Sequence, residues 1–140
     1  MSEQLVFTYE IPGDDFTRAG EASSAIKNKL KMLGVENSAI RKVAIAMYEG
    51  EINMVIHAKG GVLTVTISDE EIVMVLADKG PGIPNIEKAM QEGYSTAPEE
   101  VRSLGFGAGM GLPNMKKYSD EFHIESEVGV GTTVTMKVFI

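Results

Sequence analysis

Cysteine is absent from the 140-residue chain, so neither a disulfide framework nor a thiolate metal site is open to it. Long apolar runs are absent as well: none reaches the roughly 18 residues that a bilayer-spanning helix requires. The N-terminus lacks a basic stretch followed by an apolar one, so no secretory signal is read there. Positive charge is in short supply. Thirteen Lys and Arg stand against twenty Asp and Glu, a formal net charge of -7. That balance excludes a nucleic-acid backbone as the main partner, because such binding rests on clustered cations that release counterions. The two small basic groups, Lys27/Lys29/Lys31 and Lys116/Lys117, read as solvated helix faces. The expectation is a cytoplasmic protein that binds neither membrane nor nucleic acid. What is present is 44% hydrophobic residues, enough to close one core over residues 1–140 as a single domain.

Leu5, Phe7 and Tyr9 alternate with polar or small neighbours as a strand does, and Pro12-Gly13 ends it. Asp14 or Asp15 is placed to cap a helix whose positions Phe16, Ala19, Ser23, Ile26, Leu30 and Leu33 follow a three-four spacing, stopped by Gly34. A second helix opens near Glu36 to Ser38 and runs to Gly60-Gly61, apolar over much of its circumference and therefore central. Val62 to Ser68 and Ile72 to Asp78 form a hairpin. Ile83 to Met90 reads as a short helix, Glu92 to Leu104 as a polar loop containing Pro98, and Met110 to Tyr118 as a helix with Pro113 in its first turn. Phe122 to Val128 and Thr132 to Ile140 close the chain as a strand pair. Helices and strands fall in blocks instead of alternating, which favours an α+β fold: a two-layer sandwich with a mixed or antiparallel sheet covered on one face by helices.

Three places carry polar chemistry that a core does not need. On the second helix Glu49, Asn53 and His57 lie four apart, on one face, each about 40° on from the last. The stripe is explained either by hydrogen bonds to a neighbouring loop or by a site in which Asn53 offers its carbonyl oxygen to a hard cation such as Mg²⁺ and Glu49 orients or deprotonates a nucleophile. Glu51, about 200° round the helix from Glu49, is not interchangeable with it. At a strand end, DKGPGI (residues 78–83) is either a turn exit or a carboxylate, Asp78, placed to accept from an exocyclic amine while Gly80 and Gly82 let a flat ring approach. In LGFGAGMGLPNM, glycines at 105, 107, 109 and 111 run into a helix; they read as a flexible connector or as backbone N–H groups turned toward an anion at a helix start. No Gly-Lys-Ser/Thr follows, so this is not a Walker loop.

The order of these motifs is informative. Glu49-x-x-x-Asn53, Asp78-x-Gly80-x-Gly82, Gly107-x-Gly109-x-Gly111 and Gly131-Thr132 resemble the N, G1, G2 and terminal Gly-Thr boxes of the histidine-kinase-like (GHKL) ATPase superfamily, and the compact form resembles the bacterial anti-sigma-factor serine/threonine kinases of partner-switching systems. The resemblance implies ATP/ADP and Mg²⁺ as ligands. It makes Glu49 the general base, Asn53 the metal ligand, Asp78 the acceptor from adenine with Thr132 bridging through water, and Gly107, Gly109 and Gly111 the phosphate cradle. It adds Gly80, Gly82, Ile83, Ala108, Met110 and Leu112 to the nucleotide-binding set, and it makes YSTAPEEVRS a lid from which Arg102 meets a phosphate oxygen. His57 and His123 are expected to be structural. Regulators of stress-signalling complexes resemble the segment FGAGMGLPNMKKYSDEF equally well.

Two functions follow from the resemblance. The first is a Mg-dependent serine/threonine kinase that phosphorylates a STAS-domain antagonist protein, with a sigma factor or another output protein as the switched partner and a homodimer allowed. The second is a nucleotide-gated binding module that sequesters its partner and turns over little ATP. The presence of Glu49 favours the first, because binding alone needs no base.

Overall fold

The computed structural model describes residues 4–13, 18–57, 60–83, 85–90 and 111–140. In chain order the elements are β1 (Leu5–Pro12), α1 (Glu21–Met32), α2 (Asn37–His57), β2 (Gly60–Ile67), β3 (Glu71–Asp78), α3 (Ile86–Ala89), α4 (Gly111–Lys117), β4 (Glu121–Glu127) and β5 (Gly131–Phe139). The strands form one sheet in the order β1-β2-β3-β5-β4, and every pairing is antiparallel. The expected two-layer α+β sandwich is thus observed, and its sheet takes the antiparallel of the two forms left open, not the mixed one.

Strand alternation decides which face is covered. Leu63, Val65, Ile67, Ile72, Met74, Leu76, Val134, Met136 and Val138 point inward and are buried against Ile26 and Leu30 of α1, Val43, Met47 and Val55 of α2 and Met115 of α4. Each such side chain contributes roughly 1.5–3 kcal/mol on burial. The surface ion pairs Arg18–Glu21 and Lys137–Glu121 are largely exposed and contribute about 0–1 kcal/mol each, so the layer contact and not surface charge holds the helices down. The other face carries the register row Thr8, Thr64, Val75, Thr135 and His123. Asp120 ties the two layers at one corner, accepting from Phe139 N at 2.8 Å and from Lys42 Nζ of α2 at 3.3 Å.

Helix α1 ends as its sequence predicts. Gly34 N donates to Lys31 O and Val35 N to Leu30 O, both at 3.1 Å, the paired closure of a Schellman motif. It begins later than expected, because Gly20 adopts φ +96°, which a right-handed helix cannot contain. The proposed caps Asp14 and Asp15, and Phe16, lie outside the described residues. Helix α3 is shorter than Ile83 to Met90, spanning Ile86–Ala89, and Ile83 stands outside it, its N–H donating to Ser126 Oγ of β4 at 2.7 Å. Of the basic groups read as solvated, Lys29 lies over the Phe7 ring, 5.1 Å from its centroid, while Lys27, Lys31, Lys116 and Lys117 are exposed. No helix among the described residues is long and apolar enough to cross a membrane.

Candidate functional site

Asp78 is the last residue of β3, where the strand leaves the sheet and its side chain is half-buried. Its Oδ1 accepts from Gly80 N at 2.9 Å and from Thr132 N at 3.1 Å. Both N–H groups are fixed by backbone, so the carboxylate is held in one orientation, and Oδ2 has no partner among the described residues. The wall beside it is built by the β4–β5 turn. Ser126 Oγ accepts from Ile83 N at 2.7 Å, donates to the Gly131 carbonyl at 3.3 Å and shares a 2.8 Å hydrogen bond with Thr132 Oγ1. Gly129 N donates to Pro81 O at 2.9 Å. Gly82 sits at φ +80°, and a Cβ there would run into the Glu127 carbonyl oxygen, so both its conformation and its closeness to the turn require glycine. The structure therefore gathers Asp78, Gly80, Gly82, Ile83 and Thr132 into one cluster.

The second cluster lies on α2. Gly50 faces the sheet, where a Cβ would collide with Leu76 Cδ2 and press Met115 Sδ at 3.3 Å. Its bare Cα lets α2 settle against β3 and α4 together. Met54, one turn on, reaches Gly61, which pairs with Asp78 across β2 and β3. Consequently the turn of α2 that carries Asn53 lies over the Asp78 end of the sheet. Glu49 is half-buried and accepts from Asn114 Nδ2 of α4 at 3.4 Å. Asn53 is half-buried and makes no hydrogen bond to a described residue. Among the described residues no group of three or more His, Asp or Glu side chains could hold a metal ion. A lone amide beside a carboxylate suits a cation bound chiefly by substrate phosphates, not an all-protein cage.

Glu51 has a different environment. It is buried, and its two oxygens accept four hydrogen bonds from the start of α1: Oε2 from Gly20 N at 2.8 Å and Ala22 N at 3.3 Å, Oε1 from Ser23 N at 3.0 Å and Ser23 Oγ at 2.7 Å. It supplies from another helix the anion that a helix N-terminus favours, and so replaces the missing side-chain cap of Gly20.

Gly111 begins α4, and Leu112 is buried in the core. Arg102, Gly107, Ala108, Gly109 and Met110, with the expected lid, lie outside the described residues, as does the side chain of His57. His123 is exposed on β4 and pairs with Glu125 at 3.1 Å. Sequence reasoning set Glu51 apart from Glu49 but missed its structural role, and it missed Asn114 and Ser126. For two of them a signal existed: Ser23 takes an apolar position of α1, and Ser126 follows Phe122 and Ile124 on the inward side of β4.

Comparison with known proteins adds to this geometry. The family model for the histidine kinase-like ATPase domain matches residues 14–138. An anti-sigma F factor of Clostridium acetobutylicum is 36% identical over 139 residues, spanning 96% of this chain and 90% of that protein. An anti-sigma F factor of Caldanaerobacter subterraneus subsp. tengcongensis is 39% identical over 142 residues, spanning 98% and 92%. Among solved structures, the RsbU and RsbW domains of Rv1364c from Mycobacterium tuberculosis align with a TM-score of 0.62 at 18% identity, over 97% of this chain and 32% of that one, a likeness of fold.

Proposed function

The chain belongs to the histidine-kinase-like ATPase family, and from that premise we propose that it is an ATP-dependent serine/threonine protein kinase acting on a STAS-domain antagonist in a bacterial partner-switching pathway. The observation that carries the reading is Glu49. One helical turn from Asn53, it receives from the described residues a single long hydrogen bond, which supports a carboxylate with capacity to take a proton. Asp78, held by two backbone N–H groups at Oδ1 and with no partner for Oδ2 among the described residues, supports adenine as the base recognised, since that oxygen can accept from an exocyclic amine.

In this reading the acceptor hydroxyl oxygen bonds to the γ-phosphorus while the bond from that phosphorus to the β–γ bridging oxygen breaks. ADP leaves with the electron pair, and the hydroxyl proton passes to Glu49 Oε. Asn53 would hold Mg²⁺ through its carbonyl oxygen, and the ion would offset phosphate charge. Asp78, Gly80 and Gly82 position the base, with Thr132 fixing Asp78 from behind. Gly107, Gly109, Gly111 and Arg102 are assigned to the phosphates on the resemblance of their motif.

The relatives' name favours a second reading, a module that sequesters a sigma factor under nucleotide control with little phosphoryl transfer. Incubation with Mg-ATP and a candidate STAS-domain protein, followed by intact mass measurement of that protein, separates the two. A gain of one phosphate supports the kinase. Tight ADP binding with no mass gain in any STAS candidate supports the module.

A further inference from the structure

Beside the N-box stripe, a groove of about 310 Å³ runs between α1 and α2. Ala44, Ile45 and Tyr48 of α2 form its apolar side, Ser23 and Lys27 of α1 its polar side, and Glu49 opens into it. It shares no residue with the Asp78 cluster. Two features make it more than a gap between helices. Its α1 wall is rigid at one end, because buried Glu51 fixes Ser23 through both its N–H and its hydroxyl. Its two charged residues, Lys27 and Glu49, lie in one groove yet form no ion pair within 4.0 Å with each other or with any other described residue. A cation and a carboxylate that share a groove without pairing are left for something else to meet.

We propose that this groove is the docking site for the acceptor loop of the protein substrate, a loop that brings a Ser or Thr hydroxyl to Glu49, an apolar side chain to Tyr48 and Ile45, and a carboxylate to Lys27. The inference rests on the kinase reading and deepens it by naming what recognises the substrate. Charge argues for the acidic residue in the loop: on a chain whose net charge is -7, the α1 wall of the groove presents Lys27, exposed and with no ion-pair partner among the described residues, as the cation that a carboxylate of the partner would meet. The half-exposed Tyr48 ring argues for the apolar contact, since an aromatic in a shallow groove offers large area at small entropic loss.

The cysteine-free sequence provides the test. Ala44→Cys places a unique thiol in the groove, and Thr8→Cys places one on the exposed opposite face of the sheet. Each is coupled to a bulky maleimide and assayed, before and after coupling, with a STAS-domain protein that the unmodified chain phosphorylates and with Mg-ADP by calorimetry. The expected result is loss of phosphorylation only for the coupled groove variant, with ADP affinity retained in all four samples. Lys27→Glu, an exposed change, is expected to raise KM for the protein substrate about tenfold with kcat and ADP affinity unchanged. Equal phosphorylation by both coupled variants overturns the groove, as does loss of ADP binding on coupling, which would assign it to the nucleotide. A change in sedimentation on coupling Ala44→Cys overturns it in favour of contact with a second copy. If the unmodified chain phosphorylates no STAS-domain protein, the kinase reading itself falls and the acceptor site with it.

Discussion

Glu49 and Glu51 stand two residues apart on the same helix and have opposite surroundings. Glu51 is buried and accepts four hydrogen bonds from the start of α1; Glu49 is half-buried, opens into a groove and accepts one from the described residues, at 3.4 Å. A carboxylate whose acceptor capacity is filled by fixed backbone donors is spent on structure, since any further donor must displace one already there. One that keeps its capacity at a groove is available for chemistry. Asp78 lies between the two: one oxygen is fixed by Gly80 N and Thr132 N, the other has no described partner. The number of donors among the described residues thus falls from Glu51 through Asp78 to Glu49, the order that the proposed roles of structure, base recognition and proton transfer require.

Glu49→Gln puts the greatest strain on that ordering. The amide keeps the length and most of the hydrogen-bonding capacity, so Mg-ADP affinity and thermal midpoint are expected to stay at the wild-type value. Phosphoryl transfer to the protein substrate is expected to fall by about 10² to 10⁴, toward the low end if the transition state is loose. Transfer at the wild-type rate would remove Glu49 from the chemistry and leave its open surroundings without a function.

Glu51→Ala addresses the other end. Three backbone N–H groups and the Ser23 hydroxyl would lose their acceptor where water is largely excluded, and a loss of roughly 3 kcal/mol in urea unfolding is expected, with any folded fraction still able to bind ADP. Unchanged stability accompanied by lost phosphoryl transfer would reverse the roles of the two glutamates. For Asp78→Asn both effects are expected together. ADP affinity should fall about a hundredfold as the charge that strengthens the adenine contact is removed, and stability should fall by about 1 kcal/mol as the Gly80 and Thr132 donors lose a charged acceptor. Unaltered ADP affinity in a calorimetric titration would return Asp78 to the role of a turn residue.

The fold was largely legible because its signals are local. Period-two alternation marks β1, β4 and β5, an unbroken apolar run marks β3, Gly34 marks the end of α1, and blocks of helix and strand point to a sandwich and not to a doubly wound sheet. The start of α1 was misjudged because a distant residue holds it: Glu51 lies 31 positions from Gly20, and the contact that fixes Ile83 ahead of α3 is remote as well, Ser126 lying 43 positions away. In the candidate site the same division holds. Spacing places Glu49 apart from Glu51 on the helix, but only tertiary structure reveals which of them the α1 N-terminus fills. Asn114 carried no signal at all, since one amide in a seven-residue helix is unremarkable until α4 is seen against α2.

Asn114 is where the smallest effect and the finest test of the ordering lie. Its Nδ2 donates the one hydrogen bond that Glu49 receives from a described residue, and it does so from α4, which Gly50 allows to approach α2 closely. If a single donor orients the base without spending it, Asn114→Leu, which keeps the side-chain volume, should leave Glu49 chemically competent but less well aimed. A 3.4 Å bond is long, so its loss is expected below the range for well-formed hydrogen bonds to charged groups, about a 3- to 10-fold fall in kcat. KM for the protein substrate, Mg-ADP affinity and the unfolding midpoint should be unchanged, because Leu at 114 adds no polar group and, among the described residues, takes a side-chain partner from Glu49 alone. In the Glu49→Gln background the same substitution should have no further effect on transfer, since there is no longer a carboxylate to aim. An additive loss in that double variant would place Asn114 in contact with something other than Glu49 during the reaction, and the ordering by fixed donors would then no longer account for the rate.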